Sequence, residues 1–151
     1  RDNAKIIAIG EYNGVLYNEN GIDINKLIEC ALFKKTIENN ELGKFIKNPK
    51  EIVELECDIL IPAALEGVIN KDNVEKVKTK LIVEAANGPI DPESDKILFN
   101  RGITVLPDIY VNAGGVIVSY FEWVKNLSHI RFGRMEKRYQ EHKLLELIKK
   151  K

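Results

Sequence analysis

Four compact blocks of Ile, Val and Leu punctuate the first two thirds of the chain, at Lys5 to Ile9, Asp58 to Ile61, Lys80 to Glu84 and Ile103 to Leu106. None alternates apolar with polar residues, so they read as strands covered on both faces, as in a parallel sheet. Helical spacing fills the intervals. Asp23 can cap a helix over Ile24 to Ile37, where Leu27, Ile28, Ala31 and Leu32 recur on one face, and Asp72 or Asn73 can open a short helix to Val77. Asp91-Pro92-Glu93 starts another that ends at Gly102, matching the usual preference for Pro inside the start and Gly past the end. The β-α-β-α order predicts an open α/β sheet with right-handed crossovers.

From Pro107 to Asn126 the pattern changes. Nearly every position from Ala113 to Leu127 is apolar or small, which predicts a helix buried inside a protein or between domains. Asn112, Ser119 and Asn126 recur every seven residues. At about 100° per residue they drift only about 20° per step and form one polar seam. Gly114 and Gly115 at the helix entrance each cost about 1 kcal/mol against Ala, but let a backbone or a flat ligand come close. Two readings stand: a ligand helix with Asn112 and Ser119 in a cleft, or a core helix whose polar groups bond to neighbouring backbone. Beyond Asn126, apolar residues among many Lys, Arg and Glu predict one or two amphipathic helices leaving the domain.

Composition narrows the class. A chain of 151 residues, 44% hydrophobic and 30% charged, is that of a soluble globular domain with a sizeable core. Twenty-three basic and twenty-three acidic residues cancel, which favours neither nucleic acid nor a membrane surface as partner. Cys30 and Cys57 are too few for a disulfide framework and fit a reducing compartment, and His129 and His142 lack ligand spacing, so no metal is expected. The chain opens on Arg1, and without a signal peptide that abruptness suggests a piece of a longer protein.

Chemistry is expected at the strand exits. Gly10-Glu11, Pro62-Ala63-Ala64, Ala86-Asn87-Gly88-Pro89 and Pro107-Asp108 all follow predicted strands, and ligands of open α/β sheets bind outside the carboxyl ends. An acid just after a strand, such as Glu11, is where a dinucleotide fold accepts the ribose hydroxyls, although the Gly-rich turn that should precede it is absent. No convincing acid/base or nucleophile pair appears: Ser119 has no His in a relay, and Glu84 and Glu122 look isolated.

Taken together, Asn112-Ala113-Gly114-Gly115 and Ser119-Tyr120-Phe121-Glu122-Trp123 bring out a resemblance. With AKIIAIGEYNGVLYNENGIDI, CDILIPAALEGVI and VEAANGPIDPESDKIL before them, they resemble, in order, the cofactor domain of hexameric glutamate dehydrogenases of the Glu/Leu/Phe/Val dehydrogenase family. The resemblance implies a Rossmann-like doubly wound sheet, incomplete at its N-terminal side, over residues 1–127, and the start of a helical, antenna-like segment over 128–151. It implies that Glu11 binds the adenosine ribose, that Ala63 and Ala64 line the dinucleotide groove, that Asn87 and Asn112 meet the nicotinamide end, and that Ser119 holds the distal carboxylate of L-glutamate or 2-oxoglutarate. The coenzyme is NAD or NADP; Glu11 tilts towards NAD by repelling a 2′-phosphate. The implied parent is a homohexameric enzyme of the mitochondrial matrix or cytoplasm, with its catalytic residues in an N-terminal domain outside this chain. The isolated chain is therefore expected to be inactive. A branched or aromatic amino-acid substrate, and a non-catalytic assembly or regulatory module, are the competing readings.

Overall fold

The computed structural model describes residues 4–34, 36–38 and 41–127, so the helical segment expected over 128–151 lies outside the described residues. Two compact units divide the chain, Arg1–Val111 and Asn112–Lys151. In the first, strand β1 (Ala8–Glu11) turns through Tyr12-Asn13 into β2 (Gly14–Tyr17). Helix α1 (Ile24–Lys34) follows, then β3 (Lys44–Ile46) and a 3₁₀ turn at Pro49–Glu54. Next come β4 (Ile59–Leu60), a 3₁₀ turn at Val74–Lys76, β5 (Leu81–Val83), α2 (Pro92–Asn100), β6 (Thr104–Leu106) and the short α3 (Asp108–Val111). Helix α4 (Ala113–Leu127) belongs to the second unit.

The strands form two sheets, which corrects the expectation of a single parallel one. β4, β5 and β6 lie side by side in that order, both pairings parallel, with Ile82 opposite Leu60 and Val105. The first predicted strand joins the other sheet, where β1, β2 and β3 are antiparallel and Glu11 faces Gly14 across the turn. The reason is local. A two-residue turn returns the chain at once, so β1 pairs with the residues that follow it. Gly14 is required there: its φ is +153°, and a Cβ would strike the Ile46 carbonyl oxygen and the Phe45 ring.

Each sheet has its own core. Ile82, Leu60, Ile69, Val74, Val77 and Leu98 cluster under the parallel sheet; Leu16, Ile22, Leu27, Ile37 and Leu42 cluster under the antiparallel one. The Pro49–Glu54 turn links them, since Val53 is in the first core and Ile52 sits where a Cβ on Gly10 would be. The parallel strands are not covered on both faces, a second correction. Leu60 and Ile82 point into the core, while Ile59, Ile61 and Leu106 remain exposed, so the described residues cover one face only.

The helices follow their caps. Asp23 accepts from the backbone N–H groups of Asn25 and Lys26 and starts α1 as expected. Among its described side chains Leu27 and Cys30 are buried and Ile28 and Leu32 exposed, so the inward stripe there sits to one side of the predicted one. Asp91 caps α2 by accepting from the N–H groups of Glu93 and Ser94 at 3.0 and 2.8 Å, with Pro92 at the first turn. Gly102, at φ +75°, closes it, and Ile103 N–H reaches back to the Leu98 carbonyl. The Arg101 guanidinium then donates to the Val74 and Val77 carbonyls, tying α2 to the Val74–Lys76 turn, where the expected short helix after Asn73 forms as a 3₁₀ helix.

α4 forms where the apolar run predicts it. Contrary to the expectation of a buried helix, none of its residues is buried among the described residues: Val116, Val118, Phe121 and Leu127 are each more than 60% exposed.

Candidate functional site

The three parallel strands end on one edge of the sheet, and hydrogen bonds join the chains that leave them. The Pro62 carbonyl, just past β4, accepts from the N–H groups of Ala85 and Ala86, just past β5. Farther out, Gly67 N–H donates to the Gly88 carbonyl and Ile69 N–H to that of Pro89, both at 2.9 Å. On the other side of β5, Glu84 N–H donates to the Leu106 carbonyl at 3.0 Å. The β5 exit loop is therefore held between its two neighbours.

Side chains complete the lacing. Asp108 N–H, at the start of α3, donates to Glu84 Oε2 at 2.9 Å, and Gly88 N–H donates to Asp108 Oδ2 at 2.8 Å. Asp108 Oδ1 also accepts from Ile109 N–H. Glu84 is buried, and that burial raises its carboxyl above the usual glutamate range. The bond from Asp108 N–H opposes the rise, and the negative charges of Asp108 and Asp95 add to it. Glu84 is thus not isolated, as the sequence had implied. The available signal was an acid ending an otherwise apolar strand, but its partner is a main-chain N–H far along the chain.

The predicted residues fall into three places. Ala63, Ala64 and Asn87 are exposed on the joined β4 and β5 exit loops, so the structure brings these together. Glu11 is exposed at the end of β1, in the other sheet. Asn112 precedes α4 and Ser119 lies on it, both in the second unit; Ser119 is exposed and Asn112 half-buried. The seven-residue seam is a true helical stripe from Ser119 to Asn126, and with no buried position on α4 it is not a core seam among the described residues.

A cleft of about 860 Å³ lies beside α2, lined by Glu84, Gly88, Lys96, Phe99, Pro107 and Asp108 among others. It takes in the carboxylate lacing but none of Glu11, Ala63, Ala64 and Asn87. The strand-exit edge, where the loops converge, is the stronger place for a ligand, because that is where open parallel sheets bind theirs. No helix among the described residues is long and apolar enough to cross a membrane.

The first unit thus holds a parallel sheet with laced exit loops, and an apolar helix follows it in the chain. Residues 1–149 match the family model of the Glutamate/Leucine/Phenylalanine/Valine dehydrogenases, and the chain belongs to that family. It is 49% identical over 148 residues to the mitochondrial glutamate dehydrogenase of Dictyostelium discoideum, covering 96% of this chain and 30% of that protein. To the NADP-specific glutamate dehydrogenase of Saccharolobus shibatae it is 50% identical over 125 residues, 83% of this chain and 29% of the other. Among solved structures, the glutamate dehydrogenase of Peptoniphilus asaccharolyticus matches with a TM-score of 0.64 at 38% identity, over 99% of this chain and 34% of its own. The hetero-hexameric glutamate dehydrogenase of Thermus thermophilus, in its Leu-bound form, matches with a TM-score of 0.72 at 28% identity, over 90% of this chain and 32% of its own. The chain thus spans about 30% of the length of the curated relatives it matches.

Proposed function

We propose that this chain is the cofactor-presenting part of an NAD(P)-dependent glutamate dehydrogenase, which oxidatively deaminates L-glutamate to 2-oxoglutarate and ammonia. The observation that carries the reading is the lacing of the β4 and β5 exit loops, in a chain 49% identical to a glutamate dehydrogenase over 96% of its length. Residues 1–127 then form a Rossmann-like, doubly wound domain that gains further strands and a covered second face, and 128–151 begin a C-terminal helical segment. The relatives include a mitochondrial enzyme and a hetero-hexameric one, and the reading takes the parent of this chain to be a homohexamer of the mitochondrial matrix or cytoplasm.

The residues suit a nicotinamide nucleotide. Ala63 and Ala64 are small and exposed, which leaves the joined loops open to the close approach of a flat ligand, and Asn87 offers an amide beside them. Glu11 accepts the ribose hydroxyls and Asn112 meets the nicotinamide end. When bound, the nucleotide accepts a hydride from the amino-acid α-carbon. The chain's own task is positioning: Ser119 donates its hydroxyl to the distal carboxylate of glutamate, fixing the α-carbon at the nicotinamide end. An acid/base pair is not supplied by the described residues, so the 151-residue polypeptide alone is expected to turn over no glutamate. Detectable turnover by it would overturn that expectation.

Ser119→Ala in the protein that carries this chain tests the reading. The KM for glutamate should rise roughly 10-fold or more while that for the nucleotide stays put, because only the substrate loses a partner. Unchanged glutamate kinetics would sink the assignment of Ser119, and absence of any glutamate-dependent reduction of NAD or NADP by the wild type would sink the function.

A further inference from the structure

Asp108 and Glu84 lie in the first unit with the laced loops, and neither belongs to the set proposed to touch nucleotide or substrate. Asn87 sits between Ala86, whose N–H is bonded to the Pro62 carbonyl, and Gly88, whose carbonyl accepts from Gly67 and whose N–H donates to Asp108. With the bond from Ile69 N–H to the Pro89 carbonyl, three of the described anchors of the Ala86–Pro89 turn are main-chain bonds to the segment after β4. The bond to Asp108 is to a side chain. At Gly88 φ is +50°, and a Cβ there would meet nothing within 4 Å, so Gly88 itself is not held by crowding, although Ala86 and Pro89 are buried. The Asp108 carboxylate is what ties it to the β6 exit, and Asp108 is itself held because its N–H is bonded to the buried Glu84 carboxylate.

We propose that Asp108 and Glu84 are positioning residues of the nucleotide site: the relay from Glu84 Oε2 to Asp108 N–H, and from Asp108 Oδ2 to Gly88 N–H, sets the Ala86–Pro89 turn in the place where Asn87 meets the cofactor. The inference rests on the proposed reading of Asn87 as a cofactor contact. Neither carboxylate touches the ligand. Asp108 takes the β5 loop's N–H in a charge-assisted bond, and Glu84 fixes the backbone from which Asp108 reaches. A one-residue displacement of the turn is not needed to lose function, since misplacing a contact by about 1 Å can cost up to roughly 100-fold.

The test uses the full-length protein that carries this chain, with two readouts. Asp108→Ala should raise the KM for the nicotinamide nucleotide roughly 10-fold and leave the glutamate KM unchanged, as loss of a group that orients a ligand-binding residue does. Asp108→Asn keeps one acceptor oxygen and should recover most of that loss, and Glu84→Gln should lose less than Glu84→Leu. Equal loss of kcat and of both KM values in all four variants would overturn the relay and leave a merely structural role. The second readout is amide hydrogen exchange at Gly88, which does not depend on activity. It should quicken in Asp108→Ala and stay slow in Glu84→Gln. Unchanged exchange in Asp108→Ala overturns the proposal, even if the enzyme is active. A wild type inactive on glutamate with quickened Gly88 exchange in Asp108→Ala would refute the functional reading and leave the relay standing.

Discussion

The β1–β2 hairpin closes on neighbours in sequence, whereas both pairings of the parallel sheet join residues far apart. β1 meets β2 across two residues, and Asn18 N–H closes the end of the hairpin on the Ile7 carbonyl. β4, β5 and β6 pair only after intervening segments have crossed over, and every exit loop of that sheet is then tied to the next. The difference teaches where the candidate site can be built. A hairpin presents its turn to solvent, and Glu11 and Tyr12 are exposed there. Parallel strands leave on one side, so loops remote in sequence must meet, and polar groups from each can serve one ligand.

The sharpest way to break this comparison is to remove a core residue from each sheet in turn. Ile82 and Leu16 are both 0% exposed, in separate clusters. Each change to Ala should cost about 2–5 kcal/mol, from lost burial and the cavity left behind. Native-state hydrogen exchange should report the loss locally, with Ile82→Ala quickening the amides of β5 and β6 and Leu16→Ala those of β2 and β3. Both sheets quickening together in either variant would show one cooperative core joined through Ile52 and Val53.

The same contrast explains what was legible in the sequence. The blocks at Asp58, Lys80 and Ile103 gave three parallel strands because their apolar content is local and their exits carry turn residues. α1 and α2 were legible because Asp23 and Asp91 cap through their own side chains within three residues. β2 and β3 were missed. Gly14–Tyr17 sits directly after turn residues and reads as part of the turn, and β3 is three residues long. The partner of Lys5 to Ile9 depends on pairing, which periodicity does not encode. For the site, the strand-exit rule was enough to place Ala63, Ala64 and Asn87 at one edge. It could not reveal the Glu84–Asp108 relay, in which a side chain meets a backbone N–H 24 residues away. α4 shows the remaining limit: its pattern predicted a helix, but an apolar pattern does not say which part of a protein covers it.

A glycine in each sheet's loops refines the comparison at a smaller scale. Gly14→Ala puts a Cβ against the Ile46 carbonyl in a conformation that L-residues rarely adopt, and should cost about 1–3 kcal/mol. Gly88→Ala is strained only by its φ of +50° and should cost about 1 kcal/mol. Denaturant midpoints check the order. A Gly88 change as costly as that at Gly14 would mean that the laced loop is packed more tightly than the hairpin.

The cap of α2 adds a pH dependence whose sign can be worked out. Bonds from Ser94 N–H, then smaller contributions from the Ser94 hydroxyl and Glu93 N–H, hold the Asp91 carboxyl below its ordinary 3.8, with burial opposing. A carboxyl depressed in the folded state adds stability above its unfolded value, and that stability is lost as pH falls through the folded one. Asp91→Ala should therefore lower the melting temperature by a few degrees at neutral pH, and the gap from wild type should close in acid. Glu84 runs the other way. Its carboxyl is raised above 4.5, so its contribution is complete below that value and is lost as pH rises through the folded value. A gap for Asp91→Ala that widened in acid would contradict the cap's geometry.

The smallest effect belongs to Lys80, whose ammonium stands 2.8 Å from Asp58 Oδ1 at the entry to β5, directly beside the parallel ladder. The bond lowers the Asp58 carboxyl and raises the Lys80 ammonium, yet the side chains are 82% and 85% exposed. Solvent and salt screen such a pair, and holding two long side chains costs entropy. The backbone already does the joining: Leu81 N–H donates to the Asp58 carbonyl at 3.1 Å and Thr104 N–H to that of Lys80 at 3.1 Å. Lys80→Met keeps that backbone and removes only the charge, so the melting temperature should move by no more than about one degree, with no dependence on added salt. Loss of amide protection at Leu81 in Lys80→Met would mean that a surface ion pair helps to set the register of the parallel sheet. The backbone bonds at the strand entries would then not be enough to fix that register.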